Sequence, residues 1–395
     1  MELTRRNLTK AGLLLGILPA ATRALAADKP PIKIGANMPL SGFQRPNGEM
    51  YRAAVEMAIE EVNAAGGVNG SPIQLIIDDD QGLANETVLL FRRHVADGIA
   101  AHLGPISGTT FESVAPLANA MRVPTINFTA LKPGIARKPY ALKLHPSDDV
   151  MIPEGVTEFL AKFPNLRNVV ITGDAREASG AAGMTEFAKV ARAKNLTVAD
   201  TVSFDTRTTD YSPVAIKIKG ASPDAVFVSS FGPNSLALLK ELDVQGLRVP
   251  VLVNALIWAA NFVQTVTAGA DRVYTIGFNT NDPAPGVAGH DDFTRRYIER
   301  AERTTSLPKP INVSNATMGY DTIMLLAGIM KEKGLDGTTA VPQMRQAITD
   351  GLAAVKTWSG LNSITMQDNG DGYIKSRLLE VDVANKLWRY SSAPR

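Results

Sequence analysis

The chain has 395 residues, 41 Lys+Arg against 39 Asp+Glu, and no cysteine. Its length suits two domains or one large one. Its composition, 45% hydrophobic and 20% charged, excludes disorder, collagen and coiled coil. A balanced charge leaves no basic stripe for nucleic acid, and the absence of Cys removes disulfides, thiolate metal sites and cysteine nucleophiles.

The polar, basic opening through Lys10 is followed by an apolar run from Ala11 to Ala21 and then Ala24-Leu25-Ala26. That order is an export signal over 1–26, too short in its apolar part to span a bilayer. The Arg5-Arg6 pair is similar to a twin-arginine signal; the alternative is a general secretory signal in which the two arginines are incidental. Removing 1–26 takes Arg5, Arg6, Lys10, Arg23 and Glu2, leaving 37 basic and 38 acidic residues. No later apolar run is long enough for a transmembrane helix, so the expected location is the periplasm, not embedded in a membrane.

From Pro30 onward, short apolar runs alternate with helix-like segments, the pattern of parallel sheets covered by helices. The first strand is expected over Ile32–Met38, and a helix over Tyr51–Ala64 with Ala54, Met57, Ala58, Ile59 and Val62 on one stripe. Gly66-Gly67 stops that helix, and a strand over Ile73–Ile77 runs into Asp78-Asp79-Asp80. A helix at Asn85–Asp97, a strand at Ala100–Gly104, a helix at Thr110–Met121 and a strand at Val123–Phe128 complete a first series. The second series has helices at Met151–Phe163, Ala181–Lys194, Val214–Lys219 and Asn234–Gln245. Its strands are Val169–Thr172, Val198–Phe204, Ala225–Ser229 and Val249–Val253. Helices at His290–Thr304, Asn315–Lys333 and Val341–Asp350 and a strand at Leu378–Val383 then return to the two lobes already begun.

The segment Ile59-Glu60-Glu61-Val62-Asn63-Ala64-Ala65-Gly66-Gly67-Val68-Asn69-Gly70 resembles the helix–Gly-Gly–strand element of the leucine/isoleucine/valine-binding family of periplasmic solute-binding proteins. Pro39-Leu40-Ser41-Gly42, Gly104-Pro105-Ile106-Ser107 and Pro124-Thr125-Ile126-Asn127-Phe128-Thr129-Ala130 fit the same family, and the resemblance extends over 30–390. It implies an α/β fold of two Rossmann-like three-layer α/β/α lobes joined by a three-segment hinge, the type I periplasmic binding protein. The lobes implied are 30–147 with about 280–365, and 148–279 with about 366–390. Ligand would lie beyond the carboxyl ends of the strands and be buried by hinge closure.

The same resemblance assigns a ligand carboxylate to Ser107, with Thr109 beside it at the start of a helix, a place suited to an anion. Helix capping is the other role for both residues, and the two roles can coexist. Thr129 and Ala130 fall where the family uses backbone groups. A hydroxyl residue that amino-acid binders use falls at Leu131, and their second-lobe acid falls near Leu256, so an ammonium group would lack acceptors there. Asp148 matches a family acid beside the cleft, with helix N-capping as its alternative. The family's Tyr-Gly pair aligns with Ala178-Ser179-Gly180, placing Ser179 at the cleft. The first-lobe aromatic aligns near Asn47, with Phe43 and Tyr51 close by. Phe231 and Trp258 are aromatic candidates for the ligand or for lobe core. The expected ligand is amino-acid-like but other than a plain branched-chain amino acid: a carboxylate with an apolar or aromatic body, or a small amide.

The four histidines have no H-E-x-x-H spacing, and neither a phosphate-binding G-x-x-x-x-G-K-[ST] loop nor a G-x-S-x-G elbow is present. Asp368-Asn369-Gly370-Asp371-Gly372 reads as a turn rather than a calcium loop, Asp78-Asp79-Asp80 as a solvated loop, and His290-Asp291-Asp292 as a helix start. No enzyme, cofactor or metal is expected. The partners expected are a small-molecule ligand and the membrane permease subunits of an ATP-driven importer, with a ligand-sensing module feeding a receptor or regulator as the alternative.

Overall fold

The computed structural model describes residues 2–4, 29–258, 262–266, 269–282, 287–313 and 315–391. The export signal lies outside them except for the backbone of Glu2–Thr4, which runs parallel to Thr357–Ser359. No helix among the described residues is long and apolar enough to cross a membrane.

Two sheets organise the molecule. The first has five parallel strands in the order Ile73–Asp79, Ile32–Met38, Ala101–Leu103, Thr125–Asn127, Ala141–Lys143. The second has seven, in the order Leu387–Tyr390, Arg377–Asp382, Val273–Gly277, Val251–Val253, Ala225–Ser229, Asn168–Asp174, Thr197–Phe204. Its last five are parallel, and the two late strands join antiparallel at one edge. Strands such as Val251–Val253 and Ala225–Ser229 are buried at every position, as expected of a parallel sheet covered on both faces.

The chain visits the first sheet twice. Helix Arg45–Ala64 packs against Ala316–Glu332 and His290–Thr304, which come from far along the sequence. Arg300 reaches Glu56 and Glu60 at 2.9 and 2.6 Å, and Arg296 reaches Glu61 at 2.9 Å. After a small antiparallel sheet of Thr357–Ser359, Ser363–Met366 and Gly372–Tyr373, the chain crosses to the second sheet.

Helix Arg45–Ala64 begins six residues before its expected start because a Pro in its first turn and Gly48 interrupt the apolar stripe. A Cβ on Gly48 would lie 1.9 Å from the Pro39 carbonyl oxygen, so the helix start and the loop after the first strand touch backbone to backbone. Gly66 and Gly67 end this helix with φ of 93° and 71°, the left-handed conformation their position requires.

The Asp78-Asp79-Asp80 triplet is not a solvated loop. Asp80 is buried, accepting from Thr87 Oγ1 at 3.0 Å and Gly82 N at 2.9 Å. Asp79 accepts from Leu40 N at 2.8 Å and Gln81 N at 2.9 Å, while Asp78 pairs with Arg93 and, at 2.6 Å, with His94. Asp79 thus holds the loop after the first strand, while Asp78 and Asp80 fasten helix Ala84–Ala96 and the turn before it. Residues 368–371 form a turn whose Asp371 faces inward, accepting from Ser147 Oγ at 2.7 Å.

Candidate functional site

Loops at the carboxyl ends of strands from both sheets meet around a small cavity of about 30 Å³. The first-sheet side supplies Asn47, Tyr51, Ile106, Ser107, Gly108, Thr129, Ala130 and Asn315. The facing side supplies Ser179, Phe231, Ala255, Leu256 and Trp258. None of these lining residues is Asp, Glu, Lys, Arg or His. At about 10–15 Å³ per water the space holds about two waters, so a larger ligand requires the two sides to part or their side chains to shift.

Seven residues expected at the site line this cavity: Ser107, Thr129, Ala130, Ser179, Phe231, Leu256 and Trp258. Ser107 follows strand Ala101–Leu103 and caps helix Gly108–Ala120, its Oγ accepting from Thr110 N at 3.1 Å. Thr129 and Ala130 follow strand Thr125–Asn127, but their N–H groups donate to Asn127 Oδ1 at 2.9 and 2.7 Å, and the Thr129 hydroxyl donates to the Ile106 carbonyl. The backbone N–H groups expected to face a ligand are therefore satisfied within the chain.

Phe231 is the residue before helix Gly232–Val244, and Leu256 lies in the 3-10 turn Ala255–Ile257 that leads to Trp258. The Trp258 indole is held against Phe278, with ring centroids 5.2 Å apart. A Cβ on Gly277 would lie 1.5 Å from Trp258 Cζ2, so glycine at that position makes room for the indole. On the opposite side, Tyr51 packs edge-on to Phe128 at 5.2 Å, and burial pushes its phenol pKa up. Phe43 touches Phe231 edge-on at 6.2 Å.

Thr109, Leu131 and Asp148 do not line the cavity. Thr109 is occupied across the cleft: its N–H donates to Glu177 Oε1 at 3.1 Å and its hydroxyl accepts from Ala178 N at 3.0 Å. Leu131 is buried in core, while its N–H donates to Ser179 Oγ at 3.2 Å. Asp148, at the start of helix Asp148–Lys162, accepts from Asn254 Nδ2 at 2.9 Å. Burial pushes its carboxyl up to about 8, against the lowering effect of the Asn254 hydrogen bond and the Lys143 charge. Lys143 is itself buried, donating to the His145 carbonyl at 2.8 Å and Ser147 Oγ at 2.5 Å, with Asp371 at 3.6 Å.

Two contributors are absent from the sequence-based set. Asn315 enters the lining from the late part of the chain, at the start of helix Ala316–Glu332. Glu177 precedes helix Ala178–Ala193 and accepts from Gly180 N at 2.7 Å as well as from Thr109 N. Burial raises its carboxyl pKa despite these bonds.

Among the described residues no group of three or more His, Asp or Glu is placed to hold a metal. The periplasmic binding protein family model matches residues 31–381. The leucine-, isoleucine-, valine-, threonine- and alanine-binding protein of Pseudomonas aeruginosa is 25% identical over 62% of this chain and 66% of its own length. A leucine-binding protein from Thermotoga maritima superposes with a TM-score of 0.80 at 17% identity, covering 91% of this chain and 98% of its own. A solute-binding protein of an ABC transporter from Rhodopseudomonas palustris, in complex with 3,4-dihydroxybenzoic acid, superposes at 0.75 with 20% identity, covering 92% and 96%. With two helix-covered, mainly parallel sheets facing each other across a cleft, and a family match over nearly all of its length, the chain belongs to the periplasmic binding proteins of type I fold, the Leu/Ile/Val-binding-like substrate-binding proteins of ABC transporters.

Proposed function

We propose that this protein captures a small organic ligand in the periplasm and presents it to the permease subunits of an ATP-driven importer. Residues 30–147 with about 280–365 form one lobe, and 148–279 with about 366–390 the other; closure between them buries the ligand. Selectivity resides in desolvated complementarity, with no covalent step.

The observation that carries the ligand class is a lining without a single Asp, Glu, Lys, Arg or His side chain. A free amino acid would bring an ammonium group into a lining whose free acceptors, the amide oxygens of Asn47 and Asn315, are neutral, and a buried charge without a countercharge is costly. Tyr51, Phe231, Leu256 and Trp258 supply apolar and aromatic surface instead. The ligand is therefore a carboxylate with an apolar or aromatic body, or a small amide, rather than a plain branched-chain amino acid. Periplasmic binding proteins of this fold hold both kinds of molecule: the Pseudomonas relative is a branched-chain amino-acid binder and the Rhodopseudomonas one holds an aromatic acid.

A thermal-shift screen of the purified protein tests this, with leucine, isoleucine, valine, aliphatic and aromatic carboxylates, and short amides. A ligand at ~100 times its dissociation constant adds about 2.7 kcal/mol. Stabilisation by a des-amino carboxylate or an amide, with the amino acids silent, is the expected result. Stabilisation by leucine or valine overturns the ligand class, and silence across the whole panel counts against capture of such solutes.

A further inference from the structure

The start of helix Gly108–Ala120 is where an anionic ligand would be held, and the chain's own groups already take the Thr109 and Thr110 amides there. Glu177 reaches across the cleft to accept from Thr109 N at 3.1 Å while accepting from Gly180 N, at the start of its own helix, at 2.7 Å. One carboxylate thus serves the amino ends of two helices, where unpaired N–H groups and the helix dipole favour negative charge. Beside it, Ser179 Oγ accepts from Leu131 N and Lys132 N at 3.2 and 3.3 Å. The fit is close: a Cβ on Gly108 would lie 2.3 Å from Ser179 Oγ and 2.9 Å from Glu177 Oε1.

The remaining polar capacity is neutral. Of the cavity-lining side chains, Asn47 and Asn315 leave their Oδ1 acceptors, and Trp258 its Nε1–H donor, buried without a hydrogen-bond partner. A primary amide offers N–H groups to the acceptors and a carbonyl oxygen to the donor. A carboxylate has no hydrogen to offer Asn47 or Asn315, and it would set a second carboxyl beside Glu177, where each disfavours the other's ionisation with little water to screen them.

Resting on the solute-binding reading above, we propose that Glu177 sets the ligand class: its carboxylate occupies the anion seat of the cleft, so that the protein selects a small primary amide over the corresponding acid. A site built to donate to and accept from a neutral group discriminates strongly against an analogue that leaves one of its buried polar atoms unpaired.

The test is calorimetric titration at pH 7 of wild type, Glu177→Gln and Glu177→Ala with three matched pairs: acetamide and acetate, isobutyramide and isobutyrate, benzamide and benzoate. Wild type is expected to bind at least one amide tenfold or more tighter than its acid. Removing the charge is expected to shift that ratio toward the acid by tenfold or more in Glu177→Ala, and in the same direction in Glu177→Gln. The Gln variant keeps a carbonyl acceptor for the helix amides, so it carries the test if the Ala variant loses its circular-dichroism melting transition. The proposal is overturned if wild type prefers the acid, if the ratio is unchanged in the folded variants, or if none of the six probes binds wild type. In that last case, stabilisation by another member of the wider thermal-shift panel keeps the solute-binding reading and removes only the amide assignment.

Discussion

Asp148 is buried next to Asn254, and its carboxyl is raised from the ordinary 3.8 to about 8. An acid that ionises less readily in the folded state than in the unfolded one favours folding in acid, and that contribution is lost as pH climbs from about 4 to about 8. The charges acting on it are Lys143, which lowers its pKa, and Asp149 and Glu177, which raise it. In Asp148→Asn the amide oxygen still accepts from Asn254 Nδ2 while the titration is gone. The melting temperature of wild type should therefore fall relative to Asp148→Asn between pH 5 and pH 8, and the gap should level off above. Lys143, whose own pKa is lowered by burial, is present in both proteins and largely cancels in the difference. A constant gap across this range would show that Asp148 does not titrate there.

At the scale of elements, every cavity-lining segment except the one bearing Asn315 follows the carboxyl end of a parallel strand, and most enter a helix. Ser107 joins the two roles, capping Gly108–Ala120 while lining the cavity. Ser107→Ala should cost about 1 kcal/mol through the lost cap, read as a lower melting temperature of the empty protein, and should weaken ligand binding as well. A lower melting temperature with affinity unchanged would leave capping as its only role. Capping and turn residues also explain what was legible in sequence. Helix His290–Thr304 stands where its acidic start and apolar spacing put it, and helices such as Ala84–Ala96 differ from expectation by one residue at each end. Strands Ala141–Lys143, Val273–Gly277 and Leu387–Tyr390 were not anticipated, because three to five residues carry too little periodicity to separate strand from loop. The cleft was legible where a residue follows a strand, as at Phe231 and Trp258. It was not legible at Asn315, which follows a helix rather than a strand, nor at Glu177, which follows strand Asn168–Asp174 but whose partner Thr109 lies 68 residues away in sequence.

Across the whole molecule, Lys143 ties the edge of the first sheet to the returning chain. Buried beside Asp371 at 3.6 Å, it also donates to Ser147 Oγ, which in turn donates to Asp371 at 2.7 Å. Lys143→Met leaves the Asp371 carboxylate buried without its cation and should cost about 3–5 kcal/mol. The double variant Lys143→Met/Asp371→Asn should recover much of that loss in denaturant unfolding. Failure of the second substitution to restore any stability would place the cost in packing rather than in the uncompensated charge.

The return of the chain to the first sheet also has a consequence for how the protein is made. Helix Arg45–Ala64 packs its apolar side against Ala316–Glu332, a helix buried along nearly its whole length. Some 250 residues must leave the ribosome between the two, roughly 10–50 s of synthesis at about 5–20 residues per second. During that interval the early helix has no permanent cover, and every nascent chain presents the same sticky surface to its neighbours. That face lacks its native partner until the last fifth of the polypeptide arrives, so the finished fold sets a minimum delay before the surface is covered.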